Sequence, residues 1–298
     1  MLKENAVKLV EGVYGWHSDD IDGNAALATY KLDKDNTVGA YYAWIRNDEL
    51  SSVGIAYPGA IPKELNLQNP GVHANGEIRG FTYAAEVDLQ FGDLARAYRS
   101  DVDYEGYGLF AKVGYKLHPI VNLRGSFAYG SGDDNPNDDR NEEFQVIMGL
   151  DTIGPFSRFI HYTQIYERTI RTAVANPINA SQGQTLSAGN TRNTNIANTT
   201  YYNLGIDVMP TRNLILSVDG YVIQASEEWT DGEGNTIDDD VGTEVDLRGS
   251  YKIAKNLTYF VEAGFFSPGD YYDSSLVNTT GVGAKTVTQI IHGLSFTF

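Results

Sequence analysis

Cysteine is absent from the 298-residue chain. That excludes disulfides, thiolate metal sites and cysteine nucleophiles, and suits a chain that crosses an oxidising compartment. No run of about 18 apolar residues occurs, so no segment can form a membrane-spanning helix. Basic residues are scarce: 22 Lys and Arg stand against 39 Asp and Glu, a formal net charge of −17. Phosphate neutralisation needs clustered bases, so nucleic acid is excluded as a partner. The five histidines, His17, His73, His118, His161 and His292, form no pair at helical metal-ligand spacing. Neither a Gly-x-Ser-x-Gly elbow nor a phosphate-cradling glycine loop is present, and no cofactor is expected. The start, Met1 to Lys8, lacks the charged, apolar and small-residue regions of a signal peptide. An exported protein beginning here is expected to be a processed or shortened form.

What the chain does have is alternation. In the last ten residues, Ile290, His292, Leu294, Phe296 and Phe298 share one face, and Gln289, Gly293, Ser295 and Thr297 share the other. A period of two marks a strand between two environments. The pattern recurs. Val121, Leu123, Phe127 and Tyr129 oppose Asn122, Arg124 and Ser126; Val245, Leu247 and Tyr251 oppose Glu244, Asp246, Arg248 and Ser250. Tyr83, Ala85, Val87, Leu89 and Phe91 oppose Glu86, Asp88 and Gln90; Tyr202, Leu204, Ile206 and Val208 oppose Asn203 and Asp207. Candidate strands cover 6–16, 23–32, 36–46, 50–58, 79–92, 103–116, 119–130, 200–209, 212–225, 241–252, 255–266 and 285–298. These twelve have lengths suited to tilted membrane strands.

Short turns at 33–36, 117–120, 209–212 and 253–256 alternate with longer polar stretches at 17–22, 93–102, 131–199, 226–240 and 267–284. Short turns on one side and long loops on the other define the layout of an outer-membrane barrel. With the C-terminus on the periplasmic side, twelve strands put every short turn on that side; only 59–78 is long for such a turn. The pattern predicts an all-β, antiparallel up-and-down transmembrane β-barrel forming a single domain over 1–298. Its 20 tyrosines are what aromatic girdles at two interfaces require. The mean hydropathy of −0.31 is no objection, because only alternate strand residues meet lipid. The loop 131–199 begins with apolar and aromatic residues, Phe144, Ile147, Phe156, Phe159, Ile160, Tyr162, Ile165 and Tyr166, with room for a short helix, and ends in an Asn-, Thr- and Ser-rich stretch. It either folds inward as a constriction or covers the mouth.

Four stretches resemble the alginate-export outer-membrane porins: Tyr83-Ala-Ala-Glu-Val-Asp-Leu-Gln-Phe-Gly92, Phe127-Ala-Tyr-Gly-Ser-Gly-Asp-Asp-Asn-Pro-Asn-Asp138, Gly242-Thr-Glu-Val-Asp-Leu-Arg-Gly-Ser-Tyr-Lys252 and Asn256-Leu-Thr-Tyr-Phe-Val-Glu-Ala-Gly-Phe-Phe-Ser-Pro-Gly-Asp270. The resemblance implies a bacterial outer-membrane channel, recognised by the insertion machinery through a C-terminal strand ending in Phe298. That family forms barrels of about eighteen strands, so this chain is expected to be a C-terminal portion or a smaller relative. The family's exporter also has an arginine-dominated lumen.

Here the inward set is Glu86, Asp88, Lys112, Arg124, Asp207, Asp219, Glu244, Asp246, Arg248 and Glu262, mainly acidic. Such a lumen repels a polyuronate and points to passage of small polar solutes or saccharides with a weak cation preference. Acidic loop residues Asp133, Asp134 and Asp138 are candidates for divalent cations among lipopolysaccharide head groups, though no EF-hand spacing exists. Two other classes compete. One is a barrel enzyme at the lipid interface, for which the pair Glu244 and Asp246 is the nearest acid–base candidate. The other is a soluble β-barrel or sandwich that binds a ligand, since alternation alone does not separate lipid from a protein core.

Overall fold

The computed structural model describes residues 7–14, 21–47, 62–96, 101–134, 138–144, 162–166, 196–230, 236–273 and 283–297. The strands are β1 (Val7–Tyr14), β2 (Ile21–Lys31), β3 (Thr37–Asn47), β4 (Pro62–Ile78), β5 (Phe81–Leu89), β6 (Phe91–Arg96), β7 (Val102–Tyr104), β8 (Tyr107–His118), β9 (Val121–Gly130), β10 (Arg140–Asn141), β11 (Thr199–Thr211), β12 (Leu214–Gln224), β13 (Trp229–Thr230), β14 (Thr236–Ile237), β15 (Asp240–Ala254), β16 (Leu257–Pro268) and β17 (Val287–Phe296). Twelve of them make one antiparallel wall in the order β1-β2-β3-β4-β5-β8-β9-β11-β12-β15-β16-β17. Each neighbour in space is the next long strand in sequence, which is an up-and-down meander.

The turns are tight and all on one side. At 33–36 the Leu32 N–H donates to the Asn36 carbonyl at 2.9 Å. The N–H of Asp35 and the side-chain amide of Asn36 bind the Asp33 carboxylate and hold its pKa below the ordinary value. Between β4 and β5 lie Arg79 and Gly80 with φ of 53° and 83°, the two left-handed residues that a type I′ hairpin needs to match strand twist. This hairpin corrects the sequence reading, which left 59–78 as a connection. The fourth wall strand is Pro62–Ile78, and the candidate strand 50–58 lies outside the described residues.

The two faces of the wall differ as the alternation requires. One carries exposed Val87, Leu89, Leu109, Val113, Leu123, Leu204, Val218, Val245, Leu247, Val261, Ile290 and Leu294. Left in water, an apolar area of this extent would drive association, so it belongs against acyl chains. Aromatic pairs edge this band: Phe81 stacks on Tyr115 near the turns (centroids 4.4 Å apart), and Tyr107 stacks on Tyr129 near the loops (5.4 Å). Tyr107 and Tyr115 are eight residues apart on β8; at ~3.4 Å per residue and ~40° of tilt they are about 21 Å apart in height, close to the apolar band of an outer-membrane barrel.

Among the described residues β1 pairs only with β2, and β17 only with β16, so the wall has two edges rather than the closed ring the pattern predicted. Closure needs a row of hydrogen bonds along those edges, which the described residues do not supply. On the loop side of the opposite face, β9, β11, β12, β15 and β16 converge on an apolar cluster of Ala128, Tyr201, Tyr221, Ile223, Val241 and Phe266.

Candidate functional site on the inner wall

All ten inward candidates sit on the face opposite the apolar band, in register across neighbouring strands. Asp207 pairs with Ser217, Arg248 with Ser217 and Glu262, and Asp219 with Asp246. Two like charges directly opposite each other destabilise a sheet unless cations bridge them. Arg124 on β9 reaches across β11: its Nε contacts Asp207 Oδ2 at 2.8 Å and its Nη1 contacts Asp219 Oδ1 at 2.9 Å. Arg248 stands on the other side, Nη2 3.5 Å from Asp246 Oδ2 and Nη1 3.9 Å from Asp219 Oδ2. Asp207 also accepts from Ser217 Oγ (2.7 Å) and Asn122 Nδ2 (3.2 Å). The result is a ladder of alternating sign across four strands: Arg124, Asp207 and Asp219, Arg248, Asp246.

Asp219, Glu244 and Asp246 are fully buried, where the sequence reading expected them to line open space. Residues 162–166 of the long loop cover Glu244 and Asp246, while Arg124, Arg248 and Asn203 surround Asp219. Three consecutive backbone N–H groups converge on Glu244: Gln164 to Oε1 at 2.8 Å, Ile165 to Oε1 at 2.6 Å and Tyr166 to Oε2 at 2.8 Å. The Gln164 N–H also reaches Asp246 Oδ2 at 3.1 Å, and Arg248 Nη2 donates to the Tyr162 carbonyl at 3.3 Å. Successive N–H groups in a turn form an anion-binding concavity, and here the anion is a side chain of the wall. Ile165 and Tyr166 enter the apolar cluster, while Tyr162 stacks on Tyr201 with centroids 4.3 Å apart. Of the two readings left open for the loop, these five residues follow the inward one.

The remaining candidates occupy a different setting. On β5, Glu86 and Asp88 both accept from the Tyr41 hydroxyl, the bond to Glu86 being 2.7 Å, and Asp88 also accepts from Asn69 Nδ2 at 2.9 Å. On β8, Lys112 is exposed on the inner face, with Lys116 four residues along it. Tyr41, Asn69 and Lys116 were not singled out from the sequence. Lys116 shares the parity of Lys112, a signal that was available; the other two lie on strands with fewer charges to mark the inner face.

At the mouth, one carboxylate oxygen each of Asp133, Asp134 and Glu142 lie within 4.8 Å of one another, whereas Asp138 is outside that group and accepts from the Arg140 N–H at 2.8 Å. Burial, then the charges of Asp134 and Glu105, push the Glu142 carboxyl above its ordinary value.

An apolar, girdled outer face backed by a charged inner face defines a β-barrel wall of the outer-membrane type. The family described as Alginate export matches residues 24–163. That match covers 140 of the 298 residues, and it agrees with a wall built for the bacterial outer membrane. No curated protein matches the chain. Among solved structures it is similar to the KdgM porin in complex with disordered oligogalacturonate, at 7% identity over 93% of this chain and 92% of that one (TM-score 0.34). It is also similar to OccK11 (OpdR) of Pseudomonas aeruginosa, at 9% identity over 98% and 75% (TM-score 0.41). A third is outer membrane phospholipase A of Escherichia coli, at 11% identity over 93% and 84% (TM-score 0.32).

Proposed function

We propose that the chain is a non-enzymatic porin through which small polar solutes or saccharides diffuse, with the mixed inner wall setting selectivity. The observation that carries this is the charge ladder itself. Arg124, Asp207 and Arg248 stand directly behind residues that need lipid, and partly exposed charges at that height require a wet interior rather than a protein core. An acid–base role for Glu244 and Asp246 is disfavoured, because residues 164–166 occupy the space where a scissile bond would sit. In this reading 1–298 forms one domain, lipopolysaccharide surrounds its acidic mouth, and the terminal strand through Phe298 is what the insertion machinery reads.

Seven of the ten inward candidates are acidic, yet three of those are buried, and two exposed lysines offset part of the charge of the other four. Cation preference should therefore be weak. Planar-bilayer recordings should show open conductance with a small cation-selective reversal potential. Replacing both lysines (Lys112→Gln with Lys116→Gln) should raise the cation-to-anion permeability ratio roughly two- to fivefold, since a unit charge a few ångströms away in water is worth up to about 1 kcal/mol. Strong anion preference of the unmodified protein would overturn the inward acidic assignment.

A further inference from the structure

We infer that Glu244 is a positioning residue that sets the bore of the pore, by holding residues 162–166 against the inner wall as its constriction. This rests on the porin reading above and adds the part that tunes it.

Three independent features of the wall are shaped to that short segment. First, the carboxylate fills a concavity of three consecutive N–H groups, at 2.8, 2.6 and 2.8 Å. A carboxylate can accept all three at its two oxygens; a neutral amide offers one oxygen and turns an N–H₂ toward the others. Second, Arg248, four residues further along the same strand, donates to the carbonyl of Tyr162, so wall and segment exchange bonds in both directions. Third, the neighbouring strand β16 leaves a seat. A Cβ placed on Gly264 would lie 2.9 Å from Gln164 Cβ and 2.9 Å from Ile165 Cγ1, so any larger residue there would push the segment off the wall. Polar latch and seat meet at one point, on adjacent paired strands of the wall. A segment held this way narrows the space beside Arg248 and Asp207, the charges that a solute would pass next.

The absence of cysteine makes the test clean. In the full chain, assembled in membranes, Gln164→Cys supplies a single thiol at a position only 4% exposed while the segment lies on the wall, so a water-borne maleimide should label it slowly. Glu244→Gln should raise that labelling rate about tenfold and raise single-channel conductance about twofold or more. Should Glu244→Gln fail to assemble, Gly264→Val carries the same expectation without touching a charge. Fast labelling of Gln164→Cys in the otherwise unmodified assembled protein, or unchanged conductance in a conducting Glu244→Gln form, overturns the latch and leaves the porin reading standing. Absence of conductance from every form, with the slow labelling observed, overturns the porin reading and the latch with it.

Discussion

Arg124 is the residue on which the inner wall turns. Asp219 has no exposure and faces Asp246 across the β12–β15 ladder, so its charge is tolerable only beside a cation. Removing Arg124 leaves Asp207 short of one partner and Asp219 dependent on Arg248 at 3.9 Å. Arg124→Met should cost about 3 kcal/mol, the low end for breaking a buried pair, because Arg248 remains nearby. Urea titration of the reconstituted protein measures it, and a loss below about 1 kcal/mol would show that the pair is solvated. The parity of Arg124, Asp207, Asp246 and Arg248 was legible in the sequence, because each lies in a run where apolar and polar residues alternate; Asp219, in the apolar-rich Leu214–Gln224, is marked less clearly. The partners of these charges were not legible. Nothing in the spacing of Glu244 and Asp246 says that one binds backbone N–H groups while the other faces a second aspartate; that follows from strand register and from a loop about 80 residues away in sequence.

At the scale of the element, strands were legible wherever lipid and water both impose their demands, and β4 shows the limit. Between Val72 and Ile78 it faces the band. Above that, Asn66 accepts from Trp44 Nε1 at 2.6 Å, and Asn69 and Gln90 bond at 2.7 Å, while Leu67 is buried. The polarity of the faces inverts part-way along, and a period-two signal cancels over the whole strand. The long loop was legible only in composition: Tyr162, Ile165 and Tyr166 are apolar in a polar stretch, which says that they bury but not against what.

The mouth offers a pH test. Glu142 has a folded-state pKa above its ordinary 4.5, chiefly through burial. When both folded and unfolded states are protonated it contributes nothing; as pH rises through the unfolded and then the folded value it imposes a growing cost. Glu142→Gln should therefore slow hydrogen exchange around 138–144 at pH 7 and leave it unchanged near pH 3. An equal effect at both would assign the change to packing.

For the whole molecule, eleven of the twelve wall strands and four of the five turns, all on one side, were readable from alternation and turn chemistry together; β4 and its turn at Arg79 and Gly80 were not. Edge pairing was not, since hydrogen bonds between edges leave no mark on side-chain pattern. The central claim is that one face meets acyl chains and the other meets water, and β8 tests it most directly because Lys112 and Lys116 are exposed on its inner face. Single cysteines introduced from Leu109 to Lys116 in the otherwise cysteine-free chain can be probed in bilayers with a water-borne maleimide and a lipid-soluble quencher. The account predicts strict alternation: maleimide reaches 112 and 116, and the quencher reaches 109, 111, 113 and 115. Labelling by maleimide at every position, or quenching at 112 and 116, would contradict it.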